Sequence, residues 1–375
     1  MMDLFDIDDE VIYLNSAGAG PRLHSVNQAA QSALLNSARP WAFSPDQWLQ
    51  QTESLRALAA QTLGTHADAL AFCPSVSYAM ALAANHVTLG EGDSIVTLAR
   101  EYPSNRAIWQ QRAAQCGARL RSVDRAPGQS WTAAVLAAVD ERSKVLSLPP
   151  CHWADGASLD LVKIGKAARA NGSLLVVDAS QWLGAAAFDF AAIKPDFVMT
   201  PGHKWLLGAY GLGWLWASER WRNDGEPLEQ TVFAREAFGD FTALGDQLPP
   251  YRAGARRFDF GPYPHPLSVP MSAAALRQIS AWGGVESVTV RLRQLNDGLR
   301  HQFEAQGLGE GLSDASAPHL CAWRPPDGAM ERVLQILQQR KVIVARRGAV
   351  IRLAPHLHIS EGQLTRVAQF VASAV

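Results

Sequence analysis

The sequence predicts an α/β protein, namely a three-layer sandwich with a mostly parallel central sheet and a smaller C-terminal α+β domain. The 375 residues suffice for two or three domains. Short apolar runs alternate with longer segments of helical period from about residue 70 to residue 216, and these runs are apolar on both faces, as buried parallel strands are. Beyond about residue 265 the pattern changes to long helices and a short β-rich segment.

This pattern also predicts the domain limits and the individual elements. We expect residues 1–20 to contribute to the small domain or the cleft, residues 21–262 to form the large domain, and residues 263–375 to form the small domain. Strands are expected over 70–73, 95–98, 120–123, 145–148, 174–177, 197–200 and 213–216. Helices are expected over 77–86 and 131–139, from a cap at Ser104 towards 116, and from a cap at Asp160 to Gly172. The small domain should hold helices 271–281 and 285–306, strands 342–344 and 351–353, and a helix from about 361.

Charge and cysteine content exclude several classes of function. Lys plus Arg total 34 and Asp plus Glu total 35, a net charge of −1, which argues against a main role in binding nucleic acid or anionic membranes. The four cysteines include no Cys-x-x-Cys pair, the first ten residues are too acidic for a signal peptide, and no run of about 18 apolar residues occurs. We therefore expect a reduced cytoplasmic protein that acts on a small molecule.

The residues that follow the predicted strands are the candidates for chemistry, because ligands of such sheets bind beyond the carboxyl ends of the strands. Residues 75–77 (Ser-Val-Ser) lie between a strand and a helix start, where they either bind a phosphate or simply cap the helix. Asp178 ends the clearest buried strand, and Lys204 follows the next one. The two side chains either form a simple ion pair or serve a pyridoxal 5′-phosphate held by Lys204 as an imine.

Longer motifs resemble a known family. Residues 177–181 read Val-Asp-Ala-Ser-Gln, Asp196 follows, and residues 202–213 read Gly-His-Lys-Trp-Leu-Leu-Gly-Ala-Tyr-Gly-Leu-Gly. With Tyr-Leu-Asn-Ser-Ala-Gly at 13–18 and Ile-Arg-Leu-Ala-Pro-His at 351–356, the chain resembles the class V aminotransferase and cysteine desulfurase family, in its kynureninase- and isopenicillin-N-epimerase-like branch. The resemblance implies the type I fold of pyridoxal-phosphate enzymes, pyridoxal 5′-phosphate as the cofactor, and a homodimer with its active site near the subunit interface.

The resemblance also implies a role for each residue of the cofactor site. Lys204 would hold the cofactor as an imine and, once the substrate amine frees it, move protons at Cα and C4′. Asp178 would keep the pyridine nitrogen protonated, Gln181 would donate to the phenolate oxygen of the ring, and Tyr102 would stack on the ring. Ser75, Val76, Ser77 and His203 would bind the phosphate, with a surface histidine as the alternative for His203.

Two phosphate hydroxyls common in the family are absent from this chain. Proline stands at positions 201 and 262, where family members usually carry Ser and Thr, and Thr200 or Tyr263 would have to substitute. The segment 256–261, Arg-Arg-Phe-Asp-Phe-Gly, resembles the one that reaches the phosphate of the neighbouring subunit.

The substrate implied by the resemblance is an amino acid or a related amine. Arg352 would bind its carboxylate through a bidentate pair. His152 follows a predicted strand and either contacts the substrate or is a core histidine. No metal ligand set is expected.

The type of reaction stays open between several alternatives. A persulfide-forming desulfurase needs a cysteine on a loop shortly before the carboxylate-binding arginine, and residues 342–351 contain none. Transamination and β-elimination such as C–S lysis then rank nearly level, with epimerisation behind them. A catalytically silent scaffold or sensor is a further alternative, and the presence of Lys204 and Asp178 counts against it.

Overall fold

The computed structural model describes residues 2–42, 44–236, 248–261, 265–314 and 317–375. In these residues the strands are β1 Ile12–Tyr13, β2 Leu70–Cys73, β3 Ser94–Leu98, β4 Arg119–Val123, β5 Ser143–Leu148, β6 Leu174–Asp178, β7 Phe197–Pro201, β8 Gly213–Ala217, β9 Cys321–Trp323, β10 Val342–Ile343, β11 Ala345–Arg347 and β12 Val350–Leu353. The helices are α1 His24–Ser37, α2 Pro45–Leu63, α3 Val76–Asn85, α4 Pro103–Cys116, α5 Trp131–Ala138, α6 Leu161–Asn171, α7 Phe190–Ile193, α8 Glu219–Asp224, α9 Ser268–Ala281, α10 Gly284–Ala305, α11 Met330–Gln339 and α12 Glu361–Ala372.

The central sheet has the order β2-β8-β7-β6-β5-β3-β4. Its strands run parallel except β8, which is antiparallel to both β2 and β7. Every residue of β2, β3, β7 and β8 is buried, which explains why these strands could be recognised as continuous apolar runs. The predicted α/β fold with a mostly parallel sheet is confirmed, and each predicted strand of this sheet lies within two residues of its predicted bounds.

Sequence reasoning missed eight of these elements, namely β1, α1, α2, α7, α8, β9, α11 and β11. A local signal for α2 existed, because Ser44 and Gln47 form a reciprocal capping box and Pro45 occupies the first turn. The prediction that Ser104 caps α4 was wrong. The helix begins at Pro103 with Tyr102 as its N-cap, since the fixed φ of proline suits the first helical position.

The N-terminal segment packs against the C-terminal part of the chain. β1 pairs in parallel with β10, and β9, β11 and β12 form a second, antiparallel sheet. The segment then passes the loop after β7, where the N–H of Gly20 donates to the carbonyl of His203 at 2.8 Å. A Cβ atom at Gly20 would lie 2.1 Å from the carbonyl oxygen of Lys204, so only glycine allows this approach. The domain limits themselves stay a prediction.

A buried ion pair joins α2, β2 and the segment after residue 253. The side chains of Arg56 and Asp259 are both fully buried, and Nη2 of Arg56 lies 2.7 Å from Oδ2 of Asp259. The carboxylate of Asp259 also accepts the N–H of Phe72 at 2.9 Å. Arg256, which the family resemblance relates to a phosphate of the neighbouring subunit, pairs here with Glu53 and Asp68. Pro262 and Tyr263 lie outside the described residues.

None of the helices in the described part of the chain has the length and apolar character that crossing a membrane requires.

We predict that Asp259→Ala lowers the free energy of unfolding by about 3–5 kcal/mol, because the fully buried Arg56 loses a fully buried carboxylate and keeps Glu53, which is partly exposed. Urea denaturation measures this loss. Glu331→Gln is the matched control, because Glu331 pairs with Arg346 at the surface and is 80% exposed; its loss should stay below about 1 kcal/mol. Equal losses in the two variants would contradict the assignment.

Candidate active site

A cavity of about 500 Å³ lies at the carboxyl ends of the central strands. All of the residues predicted to hold the cofactor line it, and so does the predicted carboxylate-binding arginine: Ser75, Val76, Ser77, Tyr102, Asp178, Gln181, His203, Lys204 and Arg352. His152 does not. The structure thus brings together residues that are far apart in the sequence, since the parallel strands end at one edge of the sheet and β12 closes over it.

Asp178 and Lys204 form the electrostatic centre of this cavity. Asp178 is the last residue of β6 and is 6% exposed; its carboxylate accepts hydrogen bonds from the N–H and the hydroxyl of Ser180. Burial raises the pKa of the Asp178 carboxyl, although the Ser180 hydrogen bonds and the Lys204 charge oppose this shift. Burial lowers the pKa of the Lys204 amine, opposed by Asp178. A larger fraction of Lys204 is therefore a neutral, nucleophilic amine near pH 7.

Tyr102 and Gln181 lie beside this pair. The ring centroid of Tyr102 is 5.4 Å from Nζ of Lys204, and its ring meets the Trp153 indole edge to face. The side-chain amide of Gln181 donates to the carbonyl of Ala17 at 2.8 Å and accepts from the indole N–H of Trp205 at 2.9 Å. One amide hydrogen of Gln181 stays available for a ligand, because an amide nitrogen carries two.

The N-terminus of α3 forms another wall. The Ser75 hydroxyl caps the helix by accepting the N–H of Tyr78 at 3.1 Å, and it lies 2.9 Å from the Ser77 hydroxyl. The N–H groups of Val76 and Ser77, in the first turn, have no intrahelical acceptor and are free to bind an anion. Capping and anion binding are thus compatible here.

His203 and Thr200 differ in their access to the cavity. The His203 imidazole stacks on the Tyr210 ring with 3.8 Å between centroids, and burial, followed by the Lys204 charge, lowers its pKa to about 4. It is therefore a neutral hydrogen-bonding group at neutral pH. Thr200 is 1% exposed and donates to the carbonyl of Ala179 at 3.4 Å. Thr200 is not among the residues that line the cavity, so its hydroxyl is not placed to replace the one missing at Pro201.

Arg352 is held at the cavity wall with part of its guanidinium unused. Nη1 donates to the carbonyl of Trp153 at 3.0 Å and Nη2 to Oδ1 of Asn15 at 3.1 Å. Its Nε has no hydrogen-bond partner within the described residues, although the side chain is 1% exposed. Burial, followed by the nearby Arg347 charge, lowers the pKa of Arg352 to about 9. A carboxylate bound here would satisfy the unused N–H and the charge.

His152 lies behind the cavity wall. It is 3% exposed, its ring stacks on Trp131 with 5.4 Å between centroids, and Nδ1 lies 3.4 Å from Oδ1 of Asp155. This placement favours the core histidine over the substrate contact, the two alternatives that the sequence left open.

Sequence reasoning assigned no role to Glu101. This residue precedes Tyr102 and accepts its N–H at 2.6 Å, and it is 6% exposed. A cavity of about 20 Å³, enough for one water molecule, lies between Glu101, Asp178 and Lys204. Burial, reinforced by the negative charge of Asp178, raises the pKa of Glu101 to about 7. The sequence signal that could have identified Glu101 is its position three residues after the end of β3, at the edge of the sheet where ligands bind.

Sequence reasoning also missed Trp153, Ser180, Tyr210 and Arg347, all of which line the cavity of about 500 Å³. Within the described residues no cluster of three His, Cys, Asp or Glu side chains is arranged to hold a metal ion.

We predict that Glu101→Gln removes a pH dependence of stability. The pKa of Glu101 in the folded chain, about 7, exceeds its ordinary value of 4.5, so folding favours the protonated form. The corresponding stability is complete below pH 4.5 and is lost as the pH rises through 7, by roughly 3 kcal/mol at most. Urea denaturation of the cofactor-free protein at pH 5 and pH 8 should therefore show wild type losing more stability than Glu101→Gln. Glu141→Gln, at an exposed position, should follow wild type. A parallel fall for all three would contradict the prediction.

The donor set fits pyridoxal 5′-phosphate. A neutral amine suits an aldehyde, a buried carboxylate suits a pyridinium nitrogen, and an aromatic ring beside the amine suits a flat ring. The free N–H groups at the start of α3 suit the phosphate.

Comparisons with known proteins agree with this chemistry. The family model "Aminotransferase class-V" matches residues 12–367. An uncharacterized aminotransferase of Bacillus subtilis, YcbU, is 26% identical over 332 residues, which cover 87% of this chain and 84% of the relative. An isopenicillin N epimerase of Amycolatopsis lactamdurans is 27% identical over 367 residues, which cover 87% of this chain and 91% of the relative.

A solved structure shows the same fold. The structure of a C-DES mutant with glycine covalently linked to its PLP cofactor superimposes with a TM-score of 0.85 at 20% identity, covering 98% of this chain and 97% of that one. Since the family match extends over residues 12–367, the chain belongs to the class V aminotransferases and is a pyridoxal-phosphate-dependent transferase or lyase.

Proposed function

We propose that this protein is an aminotransferase-like enzyme that acts on an α-amino acid. The observation that carries the proposal is the guanidinium of Arg352, which lines the cavity that also contains Lys204 and keeps a second N–H on each Nη beyond its hydrogen bonds to Trp153 and Asn15. A guanidinium with a free N–H binds the α-carboxylate, and the amine of the same molecule then faces Lys204. The carboxylate and the amine of an α-amino acid are thus recognised by different residues of one cavity.

The proposed cofactor contacts follow from the same cavity. Asp178 would hold the proton on the ring nitrogen, Gln181 would donate its remaining amide hydrogen to the ring oxygen, and Tyr102 would cover the ring. The first turn of α3, with Ser75 and Ser77, and the neutral His203 would bind the phosphate. When bound, pyridoxal 5′-phosphate supplies a ring that stabilises negative charge at the substrate Cα.

Proton transfer by Lys204 supports transamination. Its lowered pKa favours an amine that would act as the base, taking the proton from the substrate Cα and returning it at C4′ of the cofactor. Transamination requires only one such base, so Lys204 suffices.

A β-lyase, acting on a C–S or another bond, is the second candidate. Tyr102 favours it, because this phenol lines the cavity next to Lys204 and is 42% exposed, so it can protonate a leaving group.

The cysteines do not support a persulfide-forming reaction. All four lie within the described residues, and none lines the cavity of about 500 Å³. Cys73, Cys151 and Cys321 are buried, and burial raises the pKa of each thiol, which disfavours the thiolate nucleophile.

A homodimer is part of the proposal. Leu34, Leu35 and Trp41 on α1 and just after it are 61%, 73% and 82% exposed, which is typical of apolar side chains that another chain covers. Sedimentation velocity of the purified protein measures this state, and a monomer at micromolar concentration would contradict it.

We predict that Lys204→Ala lowers kcat at least about a thousandfold, since it removes both the nucleophile and the base. Borohydride treatment followed by peptide mass analysis should find the cofactor fixed on Lys204 in wild type. Lys166→Ala, at an exposed position of α6, should retain wild-type turnover and cofactor attachment. Full turnover by Lys204→Ala would overturn the proposed mechanism.

Incubation with a panel of amino acids distinguishes the two candidate reactions. We expect keto-acid formation that depends on an added 2-oxo-acid acceptor and is absent in Lys204→Ala. Release of pyruvate and ammonia without an acceptor would instead identify a β-lyase and refute the proposal of transamination.

A further inference from the structure

We propose that this site accepts α-amino acids whose side chain ends in a carboxylate, and that Arg347 binds this second carboxylate. The inference rests on the proposed function, because it names the substrate class of the same site. Arg347 ends β11 and lines the cavity together with Lys204 and Arg352. Arg347 lies beside the tight turn between β11 and β12, where it pairs with Val350.

The two guanidinium groups of the cavity have no anionic partner in the part of the chain that the structure describes. Neither Arg347 nor Arg352 forms an ion pair with a carboxylate. Nε of each is buried and has no hydrogen-bond partner among those residues. Arg352 is 1% exposed, whereas Arg347 is half-buried and its Nη1 donates to the carbonyl of Arg346 at 2.9 Å. Guanidinium groups that are partly withdrawn from water and have no carboxylate partner favour the binding of anions.

Arg347 differs in this respect from its neighbour Arg346. Successive side chains of a strand point to opposite faces, and Arg346 turns outward to pair with Glu331 at 2.6 Å. Arg347 turns inward, where its guanidinium carbon lies 5.3 Å from the ring centroid of Trp153. The carbonyl of Trp153 accepts from Arg352, so one residue holds both arginines.

Both arginines act close to the reacting centre. Burial is the main cause of the lowered pKa of Lys204, and the charges of Arg352 and Arg347 add to it. A substrate whose amine meets Lys204 therefore brings its other groups within range of both guanidinium groups.

One guanidinium of the cavity has no partner assigned in the proposed function. The described lining contains the amine of Lys204, the guanidinium groups of Arg347 and Arg352, the neutral His203, and a single carboxylate, Asp178. In the proposed function the cofactor phosphate binds at the start of α3, and the α-carboxylate of the substrate binds Arg352. Arg347 is then left for a further anion, and a planar carboxylate matches its guanidinium in a bidentate pair.

Binding of unreactive acids to the holoenzyme tests the inference directly. Succinate and butyrate have the same chain length and differ in one carboxylate, as do glutarate and pentanoate. Isothermal titration should find each diacid bound about tenfold to a hundredfold more tightly than its monoacid. Equal affinities for diacid and monoacid in wild type would overturn the inference.

Three variants locate the effect. Arg347→Gln should bring the affinities of diacid and monoacid together, Arg347→Lys should keep part of the preference, and Arg346→Gln, the matched control on the same strand, should keep all of it. A loss of monoacid binding in Arg347→Gln equal to that of diacid binding would overturn the inference, because Arg347 would then bind the first carboxylate. Unchanged cofactor affinity of Arg347→Gln is also expected, and a tenfold loss would assign Arg347 to the phosphate instead.

Amino-acid pairs distinguish this inference from the proposed function. Aspartate and glutamate should exceed asparagine and glutamine in kcat/KM by about tenfold or more in wild type and Arg346→Gln, and by much less in Arg347→Gln. Turnover without this discrimination would contradict the inference and leave the proposed function intact. Diacid-selective binding without turnover of any amino acid would contradict the proposed function and leave the Arg347 site intact.

Discussion

The attraction between Asp178 and Lys204 at one edge of the central sheet is the interaction on which the candidate site depends. Burial favours the neutral form of each group, and the mutual attraction favours the charged forms. As a result, the charged form and the neutral form of the Asp178–Lys204 pair lie closer in free energy than burial alone would place them. A bound ligand can therefore shift the proton distribution at small cost, which suits an amine that must serve as nucleophile and as base. The Ser180 hydrogen bonds bias Asp178 towards the carboxylate.

Two parts of the chain divide the tasks of this site. The ends of β2, β3, β6 and β7 supply the residues proposed to hold the cofactor, and the hairpin of β11 and β12 supplies both arginines of the substrate side. The N-terminal segment joins the two parts, because Asn15 accepts from Arg352 and the carbonyl of Ala17 accepts from Gln181. Changes in the hairpin can thus alter the substrate while the cofactor contacts stay the same.

The central sheet and the cofactor side of the site could be predicted from sequence because both depend on local signals. A buried strand is a continuous apolar run, and Asp178 and Lys204 directly follow such runs. Helices α1 and α2 were not predicted from the sequence, because their apolar positions are interspersed with polar residues and their burial depends on tertiary contacts. Thr200 illustrates a second limit. Alternation along a strand decides whether a side chain faces the cavity, and Thr200 instead donates to Ala179.

Glu101 and Arg347 show why the remaining residues of the site lay beyond sequence reasoning. Each stands next to another charged residue that is exposed and forms an ion pair at the surface, Arg100 and Arg346 respectively. Only the fold decides which of two charged neighbours lines a cavity and has no oppositely charged partner among the described residues. Such side chains indicate what the site binds. A buried group without a partner raises the free energy of the empty site, and a complementary ligand offsets this cost when it binds. With the cofactor phosphate assigned to the start of α3, the guanidinium groups of Arg352 and Arg347 remain for the substrate, and two carboxylates would pair with both of them.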